Sequence, residues 1–268
     1  MEQEELTATI RNTFHTVCEG YDCDTLRFFK KAAPQLPEVF QFNGDEQLLD
    51  VAAGTGIPAM VCASQLPKGT VTAVDFSSGM LAQAKANAAD LQNIAFSQMD
   101  MTAMDLPEAS FDSANCSFGI FFIPDMVNTL RHIASKVKAG GAIVTTHFIE
   151  GSFEPLSEIF REQVLRYGIE PRPQGWLRLG TETLNRELYQ EAGLSDIALH
   201  RCDVGYHFKE AEQWWEVIWN AGYRGLISGL DEPTLARFKA EHLAEIATVD
   251  QGDGIPFHIE VVITRGQR

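Results

Sequence analysis

The sequence has few cysteines and few basic residues, and each shortage argues against a class of site or partner. Its five cysteines are an odd number scattered through 268 residues, without a C-x-x-C pair. A disulfide framework needs paired cysteines, and a structural zinc site needs clustered ligands. We therefore expect neither a disulfide-stabilised fold nor a metal centre.

Basic residues are outnumbered, 21 against 37 acidic residues, and the formal net charge is −16. Such a surface repels nucleic acid and anionic bilayers. The first residues, MEQEELTATIRNTF, are acidic where a signal peptide would be basic, and no apolar run reaches membrane-spanning length. We therefore expect no nucleic-acid partner, no membrane insertion and a cytoplasmic location.

Short apolar runs alternate with helical patterns as far as His147, which is typical of a doubly wound parallel sheet. Helices are predicted at Met80–Leu91, capped by Ser77 or Ser78, and at Met126–Val137, stopped by the pair Gly140-Gly141. In such a fold ligands bind at the carboxyl ends of the strands. The predicted strands are Gln47–Ala52, Thr70–Asp75, Ile94–Met99, Ser113–Ser117, Ala142–His147, Ile197–Cys202 and Phe257–Thr264.

After His147 the rhythm changes, and helical stretches at Leu156–Tyr167, Thr181–Ala192 and Glu210–Ala247 dominate. The length fits one domain with an elaborated second half. We therefore predict a single domain over 1–268. It would carry an N-terminal helical lid at 1–45 and helical cap insertions at 150–180 and 209–252.

A glycine loop, LLDVAAGTGIPA from Leu48 to Ala59, joins the first strand to the next helix. Its Gly54-x-Gly56-x-x-Ala59 pattern fits a dinucleotide fingerprint, and Asp75 stands near the position of a ribose-binding acid. On these residues alone, a nicotinamide-dependent oxidoreductase is an open alternative.

Two neighbouring residues favour a different ligand. The Asp50 carboxylate would repel a pyrophosphate but attract a ligand's ammonium group. Pro58 removes a backbone N–H that a diphosphate would use. The loop therefore suits an amino-acid-bearing nucleoside better than a dinucleotide.

The same run resembles motif I of class I S-adenosylmethionine (SAM)-dependent methyltransferases, with Ala52 in place of the first glycine. From about Arg11 to Thr264 the chain is similar to the ubiquinone/menaquinone C-methyltransferase group (UbiE/COQ5-like) of small-molecule methyltransferases. That resemblance implies a Rossmann-like, mostly parallel seven-stranded sheet of order 3-2-1-4-5-7-6, its last strand antiparallel, under a helical cap. It also implies SAM as cofactor, in-line SN2 transfer to a small-molecule acceptor, release of S-adenosylhomocysteine and no metal. A non-catalytic SAM-binding protein is a further alternative.

Later segments resemble further motifs of that family, at Val71–Leu81, Gln98–Met101, Phe111–Phe118 and Val137–Val144. In the family the acid at Asp75 accepts both ribose hydroxyls, Phe76 and Met80 flank the adenine, and Asp100 accepts from the adenine amine. The cofactor-binding residues implied by the resemblance are Tyr21, Asp50, Ala52, Gly54, Gly56, Asp75, Phe76, Met80, Asp100, Met101 and Ser117.

The acceptor pocket is expected in the variable segments, where all four tryptophans lie. An apolar or aromatic acceptor would fit such a lining, although the tryptophans equally well dock a helical cap onto the sheet. His147, at the end of the fifth strand, is the candidate general base. The predicted pocket residues are His15, Phe118, Trp176, His207 and Trp215.

Overall fold

The structure is a computed structural model that describes residues 2–171 and 174–268. Residues 172 and 173, which fall in the predicted insertion at 150–180, lie outside the described residues, as does residue 1.

Within the described ranges, nine strands form two sheets. They are β1 Gln47–Val51, β2 Thr70–Asp75, β3 Ile94–Gln98, β4 Phe111–Ser117, β5 Val137–Phe148, β6 Ser195–Asp203, β7 Tyr206–Phe208, β8 Ile255–Phe257 and β9 Glu260–Gln267. The main sheet has the order β3-β2-β1-β4-β5-β9-β6. Strands β1 to β5 are parallel, and β9 runs antiparallel to both of its neighbours. Because β9 is the seventh strand of this sheet in chain order, the predicted order 3-2-1-4-5-7-6 is confirmed.

Helices cover both faces of the main sheet and build the second half of the chain. They are α1 Glu2–Val17, α2 Phe28–Ala32, α3 Leu36–Phe40, α4 Ile57–Ser64, α5 Ser78–Asn87, α6 Met126–Lys136, α7 Leu156–Arg166, α8 Glu182–Glu191, α9 Ala211–Asn220, α10 Arg224–Ile227 and α11 Glu232–Ala247. Short 3-10 turns lie at Asp24–Leu26, Ala33–Gln35, Ile120–Phe122 and Gly175–Leu179.

The central strands form because their side chains are buried on both faces of the sheet. Leu48 and Leu49 on β1 are fully buried and belong to separate apolar clusters, one on each side. This explains the continuous apolar runs that predicted them. Local signals set the helix starts: Ser77 accepts from the Met80 N–H at 3.3 Å, and Pro58 occupies the first turn of α4.

Several predicted boundaries are wrong, and α5 ends at Asn87 instead of the predicted Leu91. Strand β5 begins at Val137, directly after α6, so the pair Gly140-Gly141 lies inside a strand instead of stopping a helix. There Gly140 has φ +81 and donates its N–H to Arg268 O, while Gly141 lies against the backbone of β4, where the register shifts. The predicted helix Glu210–Ala247 is broken into three, because the backbone is extended at Ala221 and α11 starts anew with Asp231 as its cap.

The two-stranded sheet of β7 and β8 was not predicted, and β9 begins three residues later than its predicted start at Phe257. Among the described residues, no helix has the length and apolar character needed to cross a membrane.

Candidate cofactor and acceptor site

A cleft opens at the carboxyl ends of β1, β2, β4 and β5, where a doubly wound sheet binds its ligands. We call it the strand-end cleft. Part of its lining, which we call the polar wall, consists of loop and strand-end residues: Gly54, Thr55, Asp75, Asp100, Ser117 and Thr146. Another part, which we call the aromatic wall, consists of Phe14, Tyr21, Phe29, Phe118 and Phe122.

The glycine loop bends sharply between β1 and α4. Ala52, Gly54 and Gly56 have φ values of 55, 54 and 86, all in the left-handed region. That conformation costs a residue with a side chain about 1–2 kcal/mol, which Ala52 bears at the position where the family pattern has glycine. A Cβ placed on Gly54 would meet nothing within 4 Å, whereas one on Gly56 would lie 3.2 Å from the Ala84 Cβ. Gly54 therefore leaves room for a ligand, and Gly56 lets α5 approach.

Asp75 is fixed by the backbone around it. Its Oδ2 accepts from the Gly54 N–H at 2.9 Å and its Oδ1 from the Ser77 N–H at 2.8 Å. The side chain is buried, and the loss of water raises its pKa, although these N–H groups oppose the shift. The carboxylate is thus held in one orientation at the end of β2, with lone pairs left for further donors.

Asp50 carries an unsatisfied oxygen. Its Oδ1 accepts from Asn115 Nδ2 at 2.6 Å, while the buried Oδ2 has no partner with full hydrogen-bond geometry among the described residues, although the nearby Ala59 backbone N–H lowers the pKa of this carboxyl. Burial, reinforced by the charge of Asp75, raises the pKa of Asp50 to about 7. A buried, unpaired carboxylate oxygen is costly unless a donor or cation reaches it.

Polar contacts continue across the sheet from Asp50. The Ser117 hydroxyl lies 3.1 Å from Asn115 Oδ1 and 3.2 Å from Thr146 Oγ1, and it donates to either. Ser117 and Thr146 are both buried and both line the cleft. The ends of β1, β4 and β5 therefore share one hydrogen-bonded row that ends at the cleft.

The aromatic wall is a chain of ring contacts. Tyr21 stacks on Phe29 with centroids 5.1 Å apart, and Phe29 meets the Phe118 ring edge-on at 5.1 Å. Phe14 meets Tyr21 at 6.1 Å and Phe122 at 5.2 Å, both edge-on. All five rings are only half-buried, so the wall leaves apolar ring surface open to the cleft.

Asp22 ties the N-terminal segment to the polar wall. Its Oδ1 accepts from Thr55 Oγ1 at 2.6 Å and its Oδ2 from Asn87 Nδ2 at 2.6 Å. The Asn87 amide also donates to Thr55 O at 3.1 Å. We call these three residues the Asp22 clasp. The clasp joins the chain just before α2 to the glycine loop and to α5.

Most predicted cofactor residues meet in this cleft. Those that line it are Tyr21, Ala52, Gly54, Asp75, Phe76, Met80, Asp100, Met101 and Ser117. Asp50 and Gly56 belong to the same β1 loop but lie outside the lining. Of the predicted acceptor residues, Phe118 lines the cleft, at a strained φ of 56.

His147 is not brought to the cleft, which corrects its predicted placement. Its neighbour Thr146 lines the cleft, and successive side chains on a strand point to opposite faces. His147 is fully buried, and neither ring nitrogen has a partner among the described residues. Its ring meets Phe121 at 5.9 Å, and burial lowers its pKa to about 3.

Four further predicted pocket residues also lie away from the cleft. His15 is exposed on α1, against Gly79, and His207 is exposed on β7. Trp176 packs edge-on against Phe148 and Phe153 beyond the lining.

Trp215 lies in a separate shallow groove between α9 and α11, where it stacks on Trp219 at 6.3 Å. The tryptophans therefore serve the packing of the cap, which was the alternative interpretation of these residues.

Sequence reasoning missed Phe14, Phe29, Phe122 and Thr146, which line the cleft, and the clasp residue Asn87. A partial signal exists: Ile10 and Phe14 are one helical turn apart on α1, and both line the cleft.

The comparisons agree with this geometry. Residues 48–141 match the methyltransferase domain family. Aklanonic acid methyltransferase DauC of Streptomyces sp. (strain C5) is 26% identical over 181 residues, 66% of this chain and 82% of the relative. The ubiquinone/menaquinone biosynthesis C-methyltransferase UbiE of Bdellovibrio bacteriovorus is 31% identical over 144 residues, 52% of this chain and 61% of the relative. The structure of YcgJ from Bacillus subtilis, 16% identical, superposes with a TM-score of 0.61 over 89% of this chain and 98% of that one.

The sheet order, the strand-end cleft and these matches define a class I methyltransferase. The chain is a SAM-dependent methyltransferase whose methyltransferase domain includes residues 48–141. The predicted SAM-dependent methyl transfer is therefore confirmed, and the nicotinamide-dependent alternative is not.

Proposed function

We propose that the polar wall holds the nucleoside of SAM. Asp75 would accept the ribose hydroxyls, Phe76 and Met80 would flank the adenine, and Asp100, with the Met101 N–H, would meet its ring edge. The support is the fixed Asp75 carboxylate beside the open space above Gly54. A charge-assisted pair to a sugar diol gives both affinity and register.

The amino-acid end of SAM would lie near Asp50, with Tyr21, Ala52, Gly54, Gly56 and Ser117 around it. The unpartnered Oδ2 of Asp50 carries this assignment, because an ammonium group there would supply the missing donor. When bound, SAM supplies a methyl group on a sulfonium leaving group. The chain's own task is to align the acceptor with that methyl and exclude water.

The acceptor would be a small apolar or aromatic molecule on the aromatic wall. One relative is named for aklanonic acid and another for ubiquinone and menaquinone biosynthesis. The net charge of −16 argues against a nucleic-acid substrate. Residues 1–45 would act as the lid, because Phe14, Tyr21 and Phe29 come from them, and 150–180 and 209–252 as the cap. The cytoplasmic location stays a prediction.

Calorimetry on the wild-type protein tests this function. We expect S-adenosylhomocysteine to bind and NADH not to bind. Asp75→Ala should weaken S-adenosylhomocysteine binding by at least about 30-fold, since losing a charged hydrogen-bond partner costs about 2 kcal/mol.

The matched control is Asp90→Ala, which removes an exposed carboxylate after α5 and should leave the affinity unchanged. Binding of NADH without S-adenosylhomocysteine would contradict the proposal. Release of S-adenosylhomocysteine in the presence of an acceptor would exclude a purely binding role.

A further inference from the structure

Resting on the methyl transfer proposed above, we propose that the strand-end cleft takes aromatic or conjugated acids that arrive already ionised, and that the enzyme supplies no general base. The nucleophile would be an oxygen anion whose own acidity keeps it ionised at working pH, as in a carboxylate or an acidic phenol or enol. Tyr21 and Thr146 would hold that oxygen by hydrogen bonds.

The first support is the shortage of bases at the cleft. Among the described residues that line it, the ionisable side chains are Tyr21, Asp75 and Asp100. Burial raises the pKa of Tyr21 above its ordinary value, so its phenol keeps its proton. Both Asp75 oxygens already accept backbone N–H groups.

Asp100 belongs to the cofactor side in the function proposed above, which places it at the ring edge of the adenine. It is also exposed and accepts from the Thr102 N–H and hydroxyl at 2.8 and 2.7 Å.

The histidines do not fill this gap. His147 points to the opposite face of the sheet from Thr146, while His15 and His207 lie outside the lining. An acceptor such as an ordinary phenol or an alkylammonium ion would need a base to take its proton, and we find no such base among the described residues that line the cleft. An acceptor that has already lost its proton needs none.

The wall itself suits an anion that is about to lose its charge. The five aromatic rings that line the cleft exclude water that would otherwise stabilise the anion. In a site of low dielectric, the attraction between the anion and the sulfonium cation is stronger. The ionised oxygen forms its bond to the methyl carbon as the carbon–sulfur bond breaks. The electron pair of that bond stays on sulfur. One anion and one sulfonium cation give a neutral ester or ether and a neutral thioether, and the proton was lost to water beforehand.

Two hydroxyls can orient the oxygen before it reacts. Tyr21 can donate a hydrogen bond because its phenol stays protonated. When Ser117 donates to Thr146 Oγ1, the Thr146 hydroxyl proton is free to form a hydrogen bond to a ligand. Both line the strand-end cleft. Two donors toward one oxygen would select an anion over a neutral ester of the same shape.

The decisive experiment varies the acceptor's acidity. Release of S-adenosylhomocysteine is measured against pH, at saturating SAM, for two phenols of similar size with pKa values of about 7 and about 10, and for an aromatic carboxylate. We expect each phenol's kcat/KM to rise up to that phenol's own pKa, and the carboxylate's to show no such step. At pH 7 the less acidic phenol should react about 500-fold more slowly, because only about 0.1% of it is ionised, against about half of the more acidic phenol.

Profiles that superimpose for the two phenols would overturn the inference, because they would report a base on the enzyme. Asp50, with its pKa of about 7, should add the same inflection to the pH profile of every acceptor. The test therefore rests on the displacement between the profiles of the two phenols. His147→Gln serves as the control and should leave both profiles in place. A profile that loses its step in this variant would also overturn the inference.

A binding measurement separates this inference from the proposed function. Calorimetry is carried out with the enzyme saturated by S-adenosylhomocysteine. Tyr21→Phe and Thr146→Val should each lower the binding affinity for an aromatic carboxylate about tenfold and leave the affinity for its methyl ester unchanged. If S-adenosylhomocysteine binds but the acids neither bind nor react, the inference fails and the proposed function stands. If S-adenosylhomocysteine itself does not bind, the proposed function fails.

Discussion

The two walls of the strand-end cleft are built differently. The polar wall comes from the ends of neighbouring strands in one sheet, so its geometry follows from the sheet register. The aromatic wall gathers rings from α1, the following loop, α2, the end of β4 and a 3-10 turn. A wall fixed by the sheet suits a constant ligand, and a wall assembled from separate segments can change with the acceptor. The predictions that follow test this division.

Asp50, behind the polar wall, should dominate the pH dependence. Its pKa of about 7 in the folded protein exceeds the ordinary 3.8, so the folded state holds a proton that the unfolded state has lost. This stabilisation is full below pH 3.8 and disappears as the pH rises to 7, a change of about 4 kcal/mol. Wild type should therefore lose stability relative to Asp50→Asn across that window.

Urea unfolding of both proteins from pH 4 to 8 measures the difference. His147 and His242 have lowered pKa values, so their contributions to stability are lost as the pH falls, opposite to that of Asp50. Both proteins contain these histidines, so the difference between the two curves removes their contributions. Parallel curves would show that Asp50 is ionised in the folded protein throughout.

Gly54→Val should disable the polar wall while sparing the fold. The variant side chain would occupy the open space of the cleft, and we expect S-adenosylhomocysteine to bind at least about 100-fold more weakly, which is about 3 kcal/mol. The positive φ should add about 1–2 kcal/mol of destabilisation.

Gly193→Val provides a matched control. Gly193 also has a positive φ, of 83, with nothing within 4 Å of an added Cβ, but it lies in the turn between α8 and β6. Both variants should lose similar stability, and only Gly54→Val should lose affinity. Equal affinity in calorimetry would mean that the ligand does not approach Gly54.

Phe29→Ala and Phe76→Ala should affect opposite ligands. Phe29 stacks on Tyr21 and meets Phe118, so its removal should raise the acceptor KM about tenfold and leave S-adenosylhomocysteine affinity within about twofold. Phe76 follows β2, and its removal should weaken S-adenosylhomocysteine instead. Steady-state kinetics and calorimetry on both variants check this. If both variants change the acceptor KM and the S-adenosylhomocysteine affinity equally, the two walls do not bind separate ligands.

The same division separates what the sequence could predict from what it could not. The polar wall was predictable because Asp50, Gly54 and Asp75 sit at strand ends, and parallel strands bring those ends to one edge. Apolar runs and turn residues located the strands to within a few residues, and Ser77 and Pro58 gave the helix starts.

The aromatic wall depends on contacts between segments far apart in the chain. Nothing near Phe29 or Phe122 in the sequence indicates that their rings share a surface. The prediction for His147 was wrong by one residue. Neighbouring side chains on a strand point to opposite faces of the sheet, and the structure places Thr146 on the face that lines the cleft. Trp215 drew attention by size alone, since large aromatics mark packing as often as binding.

The Asp22 clasp joins the two walls, and breaking it should have the smallest effect. Asp22 accepts from Thr55 in the glycine loop and from Asn87 on α5, so it ties the segment bearing Tyr21 and Phe29 to the polar wall. These bonds are partly exposed to water, so their loss should cost about 1–2 kcal/mol of lid closure. Asp22→Ala should then speed S-adenosylhomocysteine dissociation about tenfold in stopped-flow measurements and change association little, because opening limits release.

Asp24→Ala removes an exposed carboxylate that pairs with Arg27, three residues further along the chain, and should leave the dissociation rate unchanged. Thr55→Val removes one of the two bonds and should give an intermediate rate. A dissociation rate that is the same in Asp22→Ala and in wild type would mean that the aromatic wall alone keeps the lid closed. The two walls would then be coupled by ring packing instead of by the clasp.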